Sequence, residues 1–289
     1  MRPNTWTRRE WLAAAGSTVL AGLGAVSSQG AALPSAYQEK VLAKKPVGYW
    51  RLGETTGTTA WDASKNGHNG VYVGKPALRE PGAVHRDMDT AVKLDGHSYV
   101  EAPDHPGFSV PTSGRGLTVE VWMRPDVLEF EGDTSDPYIH WLGKGGNGRH
   151  EWALRFYSRK SSRPNRVSAY IFNPSGGLGS GAYFEDKLTP GKWLHVAACY
   201  DPGDKGHPSA GVSIYKNGVL RKGPRVPGSK GTFYSDYAIV PAHGTAPLRF
   251  GTCYLKNFLI GALDEVAIYP RVLTAAEIAG HYRTATMGG

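Results

Sequence analysis

Short runs of alternating apolar and polar residues, each closed by Gly, Pro, Asn or Asp, recur along almost the whole chain. They include "VGYWRLGE", "AVKLDG", "SYVEAP", "LTVEVWMRP", "HEWALRFYS", "RVSAYIFN", "GAYFED", "WLHVAACYD", "GVSIYKNG", "PLRFGT" and "ALDEVAIYP". Alternation with a period of two places successive side chains on opposite faces of an extended strand. About ten to twelve such strands, separated by frequent turns, predict an all-β sandwich or barrel. In "KNGV" (Lys216 to Val219) an Asn-Gly pair joins two of the runs, a strong hairpin signal. Helical periodicity is nearly absent. "LTAAEIAGHY" is the exception: Thr274 as N-cap and Glu277 three residues on form a capping box, and Ile278 and Tyr282 fall four apart on one face. A second short helix is expected over Tyr37 to Ala43.

The strand pattern begins only after a different kind of segment. "TRREWLAAAGSTVLAGLGAVSSQGAA" places Arg8-Arg9 before a modest apolar stretch from Trp11 to Val26, followed by small residues. This reads as a twin-arginine export signal over residues 1–33, with cleavage between Val26 and Leu33. The apolar run is too short and too rich in Gly and Ala for a stable membrane span. Residues 1–33 hold only Arg2, Arg8, Arg9 and Glu10 as charged groups, so the chain's net charge of +8 becomes +6 beyond them. A basic exported protein suits an anionic glycan or wall polymer, and nucleic acid is a poorer partner outside the cell. The strand pattern from residue 36 to 284 shows no repeat and no linker, so it is read as one domain. Cys199 and Cys253 stand alone, without a Cys-x-x-Cys, which excludes a zinc ribbon. They are read as two small core residues, with a disulfide as the alternative.

"GYWRLGETTGTTAWDASKNGHNGVYVG", "AVKLDGHSYVEAP", "LTVEVWMRP", "KWLHVAACYD", "IYKNG", "LRFG" and "LIGALDEVAIYPRVLTAAEIAGHY" follow one another between Gly48 and Tyr282. In this order they resemble the laminin-G-like branch of the concanavalin A-like lectin/glucanase superfamily. The resemblance implies a two-sheet antiparallel jelly roll with ligands on a concave face or at loop tips. It implies little about activity, because the fold carries lectins, adhesion modules, hydrolases and lyases.

Four groups of residues are candidates for chemistry. The doublet Asp264-Glu265 sits inside an apolar strand. Neighbours on a strand point to opposite faces, so the two cannot act together across one glycosidic bond. Asp264 is expected to face inward with Val266 and Ile268, and Glu265 to be solvated. The resemblance implies a structural calcium between an N-terminal loop and the last strand, with Asp62 and Asp264 as ligands and Asn66 as a further oxygen. An equally weighted alternative has Asp264 accepting backbone N–H groups or pairing with a base. Second, the Glu-x-Asp-x-Glu strand of the family's hydrolases is absent. "EFEGD" (Glu129, Glu131, Asp133) has the alternation but the wrong order, so no catalytic residue is assigned. Third, alternation puts Arg155, Tyr157 and Tyr170 on outward strand positions, and His195 opposite its own inward neighbours. These four are expected to share the concave face and to bind an acidic polysaccharide. The alternative is a polysaccharide lyase, favoured over a glycoside hydrolase, that abstracts a proton beside a carboxylate. Fourth, the loops "SRKSSRPNR" and "LRKGPRVPGSKG" are basic and contain no acid.

Overall fold

The computed structural model describes residues 34–111, 116–132, 135–146, 149–172, 179–201, 211–222 and 243–288. The expected export segment (residues 1–33), Asp133 and the loop from 223 to 231 lie outside the described residues.

In chain order the strands are β1 (Gly48–Trp50), β2 (Thr59–Ala60), β3 (Gly70–Val73), β4 (Ala77–Pro81), β5 (Thr90–Asp95), β6 (Tyr99–Ala102) and β7 (Leu117–Pro125). There follow β8 (Tyr138–Gly146), β9 (Arg149–Tyr157), β10 (Val167–Ile171), β11 (Ser180–Phe184) and β12 (Leu194–Asp201). The last are β13 (Gly211–Lys216), β14 (Val219–Lys222), β15 (Leu248–Phe250) and β16 (Ile260–Tyr269). They form two antiparallel sheets in a jelly-roll sandwich, the all-β sandwich that the strand pattern allowed and the jelly roll that the resemblance implied. The first has the order β14-β13-β12-β7-β16-β5-β4, with β1 also paired to β16. The second has the order β11-β10-β9-β8-β15-β6-β3-β2.

The alternating residues do what their spacing requires. Val119, Val121, Met123 and Val196 of the first sheet meet Trp152, Leu154, Phe156 and Val167 of the second in one dry core. A second buried layer lies on the outer face of the first sheet. There Tyr49, Trp122, Ala197 and Tyr269 pack with Tyr37 of helix α1 (Ala36–Leu42) and Ile278 of helix α2 (Ala275–Met287). The capping box of α2 is formed in both directions between Thr274 and Glu277. The β13–β14 hairpin turns on Asn217 (φ 52°) and Gly218 (φ 75°), a left-handed pair that Asn and Gly tolerate best. Cys199 and Cys253 are buried free thiols.

One feature of β16 corrects the expected alternation. Its pairing with β7 shifts register between Asp264 and Ala267, and Glu265 adopts φ 53°. This bulge inserts one residue and reverses the parity of the strand. Leu263, Val266 and Ile268 face the core, while Asp264 lies opposite Trp122 on the helix side. Glu265, expected in solvent, is 1% exposed.

Candidate functional site

The outer face of the second sheet carries a cluster of basic and aromatic side chains. One row runs across four strands: Tyr183 of β11 opposite Ser168 of β10, then Arg155 of β9, then His140 of β8. Tyr157 and Tyr138 are paired in the next row. Arg155, Tyr157 and Tyr170 thus share one face, as their alternation implied. The Arg155 guanidinium lies 4.1 Å from the ring centroid of Tyr170, 5.6 Å from Tyr138 and 5.9 Å from Tyr157. A guanidinium at that range over ring faces is held by the ring quadrupoles. Although outward-facing, Arg155, Tyr157 and Tyr170 are all buried by their neighbours.

The basic loop beside this cluster is not the free charge that its sequence suggested. Arg163 pairs with Asp136, Arg166 with Glu185, and Lys160 with Glu131. Arg163 and Arg166 also lie over the Tyr157 ring, and Arg166 lies 3.8 Å from the Tyr183 centroid. The acids come from distant positions in the sequence, so the loop's local composition could not show them.

His195 does not join this face. It stands on β12, in the other sheet, fully buried beneath α2. Its Nε2 lies 2.7 Å from Glu120 Oε1. The same carboxylate meets His281 Nδ1 at 2.8 Å and accepts the Tyr269 hydroxyl at 3.0 Å. Burial alone would raise the Glu120 carboxyl, but the His281 charge and the hydrogen bonds from His195 and His281 outweigh it and hold it well below the usual carboxylate range. The alternation of "WLHVA" was read correctly, since His195 does point away from the core. What it could not show is that His195 belongs to the sheet whose outer face the helices cover. The proton abstraction considered for His195 therefore has no route to Arg155.

The doublet Asp264-Glu265 belongs to a third group. Arg51 donates through Nε to Glu265 Oε1 at 3.0 Å and through Nη2 to Asp87 at 2.6 Å. Asp89 Oδ2 is 2.9 Å from the same Nε, without alignment for a second hydrogen bond. The Tyr49 hydroxyl donates to Glu265 Oε2. Burial raises the Glu265 carboxyl to about 7, and Arg51 limits the rise. Burial and the neighbouring Glu265 charge push Asp264 well up.

The two residues expected to hold calcium are placed differently. Asp62 Oδ1 accepts the amides of Tyr49 (3.0 Å) and Ser64 (2.9 Å), and Oδ2 accepts that of His68 (2.9 Å). Asp62 therefore shapes its own loop. Asn66 donates its side-chain amide to the carbonyls of Pro46 and Val47. Asp264 Oδ2 accepts the Ala83 amide at 2.7 Å, while Oδ1 is buried without a partner. A Cβ on Gly82 would fall 3.2 Å from Asp264 Oδ2 and 2.8 Å from the Asp89 carbonyl. The unpartnered Asp264 Oδ1 is a carboxylate oxygen, the type of ligand that a hard cation takes. Among the described residues no group of three or more His, Cys, Asp or Glu side chains is placed to hold a metal.

These features can be set beside known proteins. A laminin-G-type family model, described as the concanavalin A-like lectin/glucanases superfamily, matches residues 94–279. The chain belongs to that superfamily. No curated relative matches it. Among solved structures it is similar to domain 4 of AbnA, an extracellular GH43 arabinanase from Geobacillus stearothermophilus, in complex with arabinotriose. That match has 19% identity, covers 82% of this chain and 98% of the other, and has a TM-score of 0.48. It is also similar to the ligand binding domain of botulinum neurotoxin serotype D in complex with N-acetylneuraminic acid, at 10% identity, 84% and 52% coverage and a TM-score of 0.55. The binding domain of botulinum neurotoxin DC in complex with rat synaptotagmin II matches at 12% identity, 83% and 52% coverage and a TM-score of 0.55. The chain thus spans about half the length of these neurotoxin domains, and the likeness is one of fold. Among the described residues no helix is long and apolar enough to cross a membrane.

Proposed function

We propose that the chain is an exported glycan-binding protein that takes an acidic polysaccharide on the outer face of its second sheet. The observation that carries this reading is Arg155, a cation set among Tyr138, Tyr157 and Tyr170 on one sheet face. A guanidinium can pair with a uronate carboxylate through two parallel hydrogen bonds. Tyrosine rings stack on the apolar face of a sugar while their hydroxyls bond its rim. The type D neurotoxin ligand binding domain, of which this chain spans about half, is in complex with an acidic sugar, N-acetylneuraminic acid, which supports the ligand class but not its position here. Arg155→Ala should weaken binding of an acidic oligosaccharide by about 1.5–3 kcal/mol, the range for a hydrogen bond to a charged group. Titration calorimetry at low salt measures this, and an unchanged affinity would remove Arg155 from the site.

Export rests on Arg8-Arg9 before a weakly apolar segment. Replacing both with Lys should leave the precursor in the cytoplasm. Normal export of that variant, followed by cell fractionation, would contradict a twin-arginine route.

A structural calcium completes the reading, with Asp264, whose Oδ1 is buried without a hydrogen-bond partner, as one protein ligand. Such an ion binds the native state alone and stabilises it by mass action. Chelation at matched ionic strength should therefore lower the melting temperature of the wild type and leave that of Asp264→Asn unchanged. Equal melting of the wild type with and without chelator excludes the ion.

A further inference from the structure

His140 is the least explained polar side chain of the second sheet. It is 4% exposed, and neither of its ring nitrogens has a hydrogen-bond partner. Buried polar atoms are nearly always bonded, so two orphans on one ring point to a group that arrives from outside. The His150 ring is stacked on it, with centroids 5.2 Å apart and 20° between planes, and His150 Nε2 is also buried and unbonded. Tyr138, Tyr254 and Phe172 surround His140 at 5.3, 5.1 and 5.9 Å. These three rings and His150 are half-buried, so His140 forms the floor of a rimmed cluster rather than part of the core. The charged groups acting on it are Arg155, its cross-strand neighbour, and His150, and both are basic. Among the described residues the other titratable groups facing it are the hydroxyls of Tyr138 on its own strand and of Tyr254 from the β15–β16 connection.

We propose that the His140–His150 pair, together with Arg155, receives the anionic group of the bound glycan, and that binding brings one proton onto His140. The ligand class is a sugar bearing a carboxylate or a sulfate ester, which share anionic oxygens. In the free protein burial, then the Arg155 charge, then His150 hold His140 well below its ordinary range, so it is neutral at neutral pH. An anion seated between Arg155 and His140 offsets that repulsion and supplies an acceptor for an imidazolium N–H. His140 then titrates higher in the complex than in the free protein. Affinity must therefore rise as pH falls between those two values, up to about tenfold per pH unit for one proton. Conversely, it must level off once the free protein also holds the proton.

This inference rests on the glycan-binding reading, and calorimetry separates the two. Galacturonate oligomers, their methyl esters and a sulfated oligosaccharide are titrated from about pH 8 to about pH 5.5, the range in which a histidine is tuned. Each titration is repeated in buffers of different ionisation enthalpy, which counts protons taken up. The expected result is uptake approaching one proton and tighter binding at low pH for the carboxylate or the sulfate, with no uptake for the ester. His140→Gln should bind the acidic ligand more weakly and without uptake, and His150→Gln should weaken it while keeping uptake. The wild-type measurement does not depend on either variant folding. Acidic-glycan binding without proton uptake overturns this inference alone. Failure of every acidic ligand to bind at any pH overturns the glycan reading and this inference together.

Discussion

Glu120→Ala should cost about 3–5 kcal/mol of stability, the loss seen when one partner of a buried ion pair is removed. The carboxylate is fully buried and, among the described residues, is the hydrogen-bond partner of His195 Nε2, His281 Nδ1 and the Tyr269 hydroxyl. Removing it strands three polar groups from β12, α2 and β16 in one dry layer. Its folded carboxyl lies below its unfolded value, so this contribution is present above the unfolded range and is lost as pH falls toward the folded value. Urea unfolding at neutral pH measures the loss as a lower midpoint at unchanged slope. A change under about 1 kcal/mol would mean that the layer repacks or admits water, and that Glu120 does not hold α2 to the sheet.

Arg51→Ala should cost a similar amount, with a deficit that also shrinks as pH falls but in a higher window, set by Glu265. Arg51 is the base shared by Glu265, Asp87 and Asp89. Even with Arg51 present, the folded Glu265 carboxyl sits at about 7 against an ordinary value of 4.5. Between those values the folded state holds the extra proton, so stability falls as pH rises through that window. Without Arg51 the carboxyl rises further and the window widens upward. The deficit relative to the wild type should thus be about 3–5 kcal/mol at pH 8 and clearly smaller at about pH 5, where protonation relieves the buried charge. Unfolding midpoints at the two pH values measure this, and equal deficits contradict the assignment.

Much of this molecule was legible in its sequence, and the failures have physical causes. Alternation gave the sheet faces of Arg155, Tyr157 and Tyr170 correctly, because β9 and β10 pair without a bulge between them. It failed at Asp264 and Glu265, where a single residue with φ 53° reverses the parity of β16. Nothing in "GALDEVAIY" announces that bulge, since Glu is not a residue that favours a left-handed backbone. It failed differently at His195, where the side chain's direction was right but the sheet was wrong. Strand order, not strand pattern, decides that β12 neighbours β7 instead of β9. The alternation of "YIHW" puts Tyr138 and His140 on one face but does not single out His140. Its interest comes from two unbonded nitrogens and from neighbours on β9 and the β15–β16 connection, which are tertiary facts. Likewise, the charge of Arg159 to Arg166 was legible and its pairing with Glu131, Asp136 and Glu185 was not.

On the proposed function, the outer face of the second sheet recognises acidic glycan selectively. A glycan array probed with the protein lacking residues 1–33, side by side with its Arg155→Ala variant, tests it most directly. The account predicts signal on uronate- or sulfate-bearing glycans over their neutral counterparts, weakened by raised salt as exposed charges are screened, and strongly reduced in the variant. Equal binding to neutral and acidic glycans, with no difference between the two proteins, would contradict it.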